Sequence, residues 1–171
     1  MYSAESIANY FLDLATASGE RLDPIKLQKL IYYAVGWYAG YTGERLIDEE
    51  IKAWPSGPII ASVYHAFINF GLDPITSRAI EVEGHSIILV APPDSKEVQA
   101  FLSNVWNAYR EYTTRQLSSM AHAIGTPWDR TVQNSHGIQN TSIDFEKIRE
   151  HFALAAKEAN QNSPLLNGGM S

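Results

Sequence analysis

The run KLQKLIYYAVGWYAGYTG, residues 26–43, limits the folds open to this chain more than any other stretch. Its apolar part, residues 30–41, covers about 12 residues and includes four tyrosines and two glycines. A membrane-spanning helix needs roughly 20 apolar residues, so this is a buried helix of a globular domain. Asp23 is placed to cap it, and Pro24 takes the first helical position, where a missing N–H costs nothing. Leu27, Leu30, Ile31, Ala34 and Tyr38 recur at helical spacing and form the expected core face. A second face carries Lys26, Lys29, Tyr33, Gly36 and Gly40. The two glycines make that side thin, which suits either close packing of another helix or a docking groove for a partner.

The remaining elements are organised around this helix. Residues 4–17 predict a helix with Ser3 as cap, Gly19 as stop and a stripe of Ile7, Phe11 and Leu14 beside Tyr10. The motif AWPSGPIIASVYHAF, residues 53–67, predicts a turn at Pro55, Gly57 and Pro58. A helix would follow, with Ser56 or Gly57 as cap, Pro58 at its first position and Ile60, Val63, Tyr64 and Phe67 inward. Residues 79–83 and 86–90 flank Gly84-His85 and predict a β-hairpin, which must rest on helices because a lone hairpin is marginal in water. Helices are predicted over 95–109 and 114–124, the second stopped by Gly125. GTPWDRT is expected to be a turn, and 131–143 a polar surface loop. A final helix covers 144–159, with Phe145, Ile148, Phe152 and Ala155 inward. The expected fold class is mainly α, a compact multi-helix domain with one small β-hairpin at about 79–90. Residues 1–159 form one domain in this scheme, and 160–171 a disordered tail.

Composition narrows the function classes. There is no cysteine among the 171 residues, which excludes disulfides and thiolate metal sites and suits a reducing, cytoplasmic setting. The N-terminus has no basic segment before an apolar one, so no signal peptide is expected. Net charge is −6, which argues against nucleic acid as the main partner, apart from a local basic spot at Lys26 and Lys29. No phosphate-binding glycine loop, nucleophile elbow or paired-histidine zinc motif occurs. His65, His85, His122, His136 and His151 are scattered, so neither metal nor cofactor is expected. Asp48, Glu49 and Glu50 suit a solvated face. Ser118 stands four residues before His122, but no orienting third group or oxyanion site can be read beside them. His122, just ahead of Pro127 and Trp128, is expected to be half-buried, bonded to a carbonyl and packed under the tryptophan. The alternative is a functional histidine at a binding surface.

Three segments together resemble a known family: LQKLIYYAVGWYAGYTGERLIDEEIKAWPSGPIIASVYHAF, LSSMAHAIGTPW and IDFEKIREHF. The chain from about Leu22 to Phe152 is similar to the Panacea-domain, SocA-like antitoxins, a family that includes phage-associated proteins of the GepA type. Ile59 stands where the family often has valine. Ala121 stands where it usually has threonine before the histidine, which removes a hydroxyl near His122. The resemblance implies a non-enzymatic antitoxin that binds a cognate toxin encoded by a neighbouring gene. It also implies, as an alternative, an adaptor that hands its toxin to a AAA+ protease, or a phage-encoded host-modulating binding protein. An enzyme or ligand-binding protein with a site near His122 and Trp128 is a third possibility. Tyrosine and tryptophan are common interface anchors. The candidate partner contacts are therefore Lys29, Tyr33, Trp37, Trp54, His122 and Trp128, with Tyr32 beside them. Lys29, Tyr33 and Trp37 are expected in an exposed or half-exposed patch.

Overall fold

A computed structural model describes residues 1–137 and 140–161. Among them are seven α-helices and two small antiparallel sheets, so the fold is mainly α with more strand than the one hairpin expected. The first helix, α1 (Ala4–Ala17), begins where the Ser3 side chain accepts from the Ser6 amide. The central helix, α2 (Pro24–Thr42), begins where Asp23 accepts from the Lys26 amide and ends at Gly43 in the left-handed conformation. Both starts use the side-chain cap that their sequences advertise.

The segment after α2 departs from expectation. Residues 51–54 form β1 (Ile51–Trp54), and Pro58 lies inside β2 (Gly57–Ile59) instead of opening a helix. The helix α3 (Ala61–Phe67) starts later and runs into a 3-10 turn at Ile68–Phe70. Proline fits an edge strand as well as a first helical turn, so local preference could not separate the two. The pairings Ala53 with Pro58 and Trp54 with Gly57 do. The expected hairpin is present as β3 (Ile80–Glu83) and β4 (Ser86–Leu89).

Beyond it, α4 (Lys96–Tyr109) is capped by Ser95 and α5 (Thr114–Ala121) by a reciprocal Thr113–Gln116 capping box. The latter helix stops at His122, short of the expected end at residue 124. GTPWDRT is not merely a turn. Thr126 caps, and Pro127 opens, a further helix, α6 (Pro127–Asn134). The expected loop at 131–143 therefore contains the end of that helix and a strand, β5 (Thr141–Ile143), which pairs with β1 to complete the sheet order β2-β1-β5. The last helix is α7 (Phe145–Gln161); it takes in residues 160 and 161 of the tail expected at 160–171, and the rest of that tail lies outside the described residues.

Helix α2 is the hub. It touches α1, α3, α4, α5, α7 and β2, with its longest contact against α7. That contact explains the thin face. A Cβ on Gly36 would stand 2.2 Å from the Phe152 ring, and one on Gly40 would stand 2.7 Å from the Phe152 carbonyl carbon. The glycines therefore serve internal packing of α7 against α2. The ring of Phe152 meets Tyr32, Tyr33 and Trp37 edge-on. Among the described residues, no helix is long and apolar enough to cross a membrane.

Candidate functional site

Two neighbouring polar residues of α2, Gln28 and Lys29, are buried in an otherwise apolar helix face. Gln28 is fully used. Its Nε2 donates to the Ile60 carbonyl at 3.0 Å, and its Oε1 accepts from the Ile60 amide at 2.9 Å. Lys29 is 0% exposed and donates to the Pro58 carbonyl at 3.0 Å. Desolvation pulls its pKa from 10.5 down to about 7, because burial penalises the ammonium form.

Two more side chains reach the same strand turn from other helices. Ser118 Oγ, on α5, donates to the Ser56 carbonyl at 2.8 Å. Trp128 Nε1, on α6, donates to the Trp54 carbonyl at 2.7 Å. The carbonyls of residues 54, 56, 58 and 60 are thus each held by one side chain, from Trp128, Ser118, Lys29 and Gln28 in turn. The chain reverses at Pro55-Ser56 between β1 and β2, and the four side chains converge on this reversal and the strand that leaves it. Buried carbonyls need partners, and here side chains from three helices supply them; the Ile60 carbonyl also accepts from the Tyr64 amide at 3.1 Å.

Gly57 sits at the centre of this clamp with φ of +106°. A Cβ there would lie 3.1 Å from Lys29 Nζ and 3.7 Å from His122 Nδ1. The backbone therefore passes directly over both polar atoms. His122 caps the end of α5, and its ring lies 5.3 Å from that of Trp128. Its buried Nδ1 has no hydrogen-bond partner among the described residues, so the expected bond to a carbonyl is not made.

The residues singled out from the sequence fall into two groups. Lys29, Trp54, His122 and Trp128 meet at the clamp. Tyr32, Tyr33 and Trp37 lie further along α2, against α7 and α4. The expected exposure of Lys29 and Tyr33 is corrected by the structure, since both are buried. Tyr33 stacks on Tyr109 at 4.3 Å, and desolvation raises the pKa of both tyrosines at this contact and of Tyr32. Trp37 is half-buried and donates from Nε1 to the Tyr109 hydroxyl at 2.7 Å. It borders an open groove of about 500 Å³ with Tyr41, Phe101 and Val105. Trp54 borders a second apolar groove, of about 290 Å³, with Tyr64, Ile68 and Leu72.

Sequence reasoning missed Gln28 and the clamping role of Ser118. A glutamine embedded among Leu27, Leu30 and Ile31 was the available signal, because a polar residue on a core face must find partners. As for catalysis, the Ser118 hydroxyl is spent on a backbone carbonyl. Among the described residues, no group of acids and histidines could hold a metal ion.

The fold and clamp define a helical protein built around a strand turn held by side chains, and comparison with known proteins places it. Residues 27–129, which include every clamp residue, match the family described as antitoxin SocA-like, Panacea domain. The chain is 33% identical over 128 residues to antitoxin SocA of Caulobacter vibrioides (strain NA1000 / CB15N), covering 74% of this chain and 68% of that protein. No solved structure matches. The chain belongs to the SocA-like antitoxin family.

Proposed function

We propose that this protein is an antitoxin that binds a cognate toxin protein directly and blocks it in the cytoplasm without catalysing a reaction. The observation that carries this reading is the 33% identity to antitoxin SocA, which spans most of both chains. Two features support it. The family motifs are spent on holding the turn at 54–60, which suits a rigid scaffold better than a reactive centre. The grooves beside Trp37 and Trp54 offer half-buried aromatic anchors of the kind that protein interfaces use. Lys29, Tyr33, His122 and Trp128 act from beneath, by shaping those surfaces. The net charge of −6 suits a basic protein partner better than nucleic acid.

Co-expression tests the proposal. The adjoining reading frame is induced in bacteria with and without this protein, and growth is followed. Arrest by the neighbour alone, with growth restored by co-expression, is the expected result. Failure to restore growth when both proteins are soluble would sink it. Rescue accompanied by disappearance of the toxin protein would point instead to hand-over to a AAA+ protease.

A further inference from the structure

The β3–β4 hairpin stands apart from the clamp and the grooves. Its register pairs Ile80 with Leu89 and Val82 with Ile87, so these four aliphatic side chains share one face. They are 52%, 63%, 68% and 71% exposed for Ile80, Leu89, Val82 and Ile87. The opposite face carries Glu81 and Glu83 on β3, opposite Ile88 and Ser86 on β4. Among the described residues no third strand pairs with the hairpin. It is held at its base, where Asn9 donates to the Ala79 and Val90 carbonyls and accepts from the Ala79 amide. The Val90 amide donates to the Ala79 carbonyl, which makes that pair a hydrogen-bonded one. Alternation along an antiparallel ladder then turns the backbone N–H and C=O of Ile80 and Val82 outward from β3.

We infer that the free edge of β3 is a docking site for an extended segment of a basic partner protein, in which aliphatic and Lys or Arg residues alternate. A strand added at this edge places its aliphatic residues beside Ile80 and Val82 and its basic residues beside Glu81 and Glu83. The hairpin itself, residues 80–89, contains no lysine or arginine to compete for that charge. A second copy fits less well. Antiparallel pairing of two β3 strands with their apolar faces aligned sets Glu opposite Glu, which is destabilising. Pairing two β4 strands, which carry no charge to match, is an outcome of the dimer measurement below. Stacking two faces buries only these few side chains, roughly half of the about 800 Å² per partner of a standard interface. The identification of the partner as the toxin rests on the antitoxin reading. The edge and the chemistry it selects do not.

Two measurements test this. The first titrates the full-length protein with a nine-residue peptide of alternating valine and lysine, and follows amide exchange. Binding with new protection at the Ile80 and Val82 amides is expected, at least tenfold weaker in Glu81→Lys/Glu83→Lys. Equal binding of a peptide with the same residues in blocks, or no protection at those amides, overturns the inference. A concentration-dependent dimer that Ile87→Thr abolishes overturns it in favour of self-association. The second measurement repeats the growth rescue with Val82→Lys, an exposed change whose folding is checked by circular dichroism. Rescue by the native chain but not by the variant supports the toxin as occupant. Full rescue by both excludes it. Failure of the native chain defeats the antitoxin reading and leaves the edge to be decided by the peptide.

Discussion

The ammonium of Lys29 donates to the carbonyl oxygen of Pro58 at 3.0 Å, and no salt bridge joins it among the described residues. A buried cation with a neutral partner is a costly arrangement, and its cost depends on pH. The folded pKa of about 7 lies below the ordinary 10.5. Between those values the unfolded chain holds the proton and the folded chain does not, so stability rises with pH across that window. Above about pH 10 the direction reverses. Tyrosines ionise in the unfolded chain, while Tyr32 and Tyr33 stay neutral in the fold because burial raises their pKa. Urea midpoints measured from about pH 6 to about pH 11 should therefore pass through a maximum near pH 10. In Lys29→Met the rising limb should flatten, and an unchanged slope would show that Lys29 is not the group responsible.

Gly57→Ala places a methyl group 3.1 Å from Lys29 Nζ at a φ of +106°. Backbone strain of this kind costs on the order of 1–3 kcal/mol. The lysine chain must shift as well, which loosens its bond to Pro58. Thermal unfolding should show the loss. Lys29→Met together with Gly57→Ala should recover little of it, because the strain lies in the backbone.

The contact of α7 with α2 makes a sharper distinction between two glycines. The nearest atoms to the methyl of Gly36→Ala belong to the Phe152 ring, whereas those to the methyl of Gly40→Ala are the backbone of Phe152 and Ala153 and the Phe152 Cβ. Overpacking costs about 1–3 kcal/mol. Phe152→Leu should offset part of the loss in Gly36→Ala and none of it in Gly40→Ala. Equal compensation in both double variants, read from urea midpoints, would refute the assignment.

The clamp bonds differ in what their removal leaves behind. Gln28→Leu strands the Ile60 amide in the core, while the Ile60 carbonyl keeps the Tyr64 amide at 3.1 Å. Trp128→Phe strands only the Trp54 carbonyl, at a half-buried position. A buried polar group without a partner costs about 1–3 kcal/mol. Because the Ile60 amide is buried and the Trp54 carbonyl is not fully so, Gln28→Leu should destabilise the protein more than Trp128→Phe, and a reversed order would show that the turn at 54–60 relaxes around residue 60.

Asn9→Leu removes the three bonds that tie the hairpin base to α1. The variant should lose amide protection at Glu81 and Ile88 while the α2 amides stay protected. Loss of protection throughout would mean that the hairpin and the helical core open as one unit.

The sequence determined those elements whose signals lie within a few residues. The caps Ser3, Asp23 and Ser95, Pro24 at a helix start and Gly84 in a two-residue turn act through local bonds and dihedral preference, so α1, α2, α4 and the β3–β4 hairpin were legible. Thr126-Pro127 carries the same kind of signal for α6. The family was legible too, because its motifs lie in the chain as written. Tertiary structure alone decided the rest. Strand β5 has three residues and pairs with β1 at a separation of about 90 positions, too short and too distant to leave a periodic trace. Helical spacing set Lys29 on a second face of α2 but could not say what that face meets. It meets the backbone at 54–60, so a lysine expected at the surface is sealed inside, where it joins three other helix-borne side chains in holding the carbonyls of that turn.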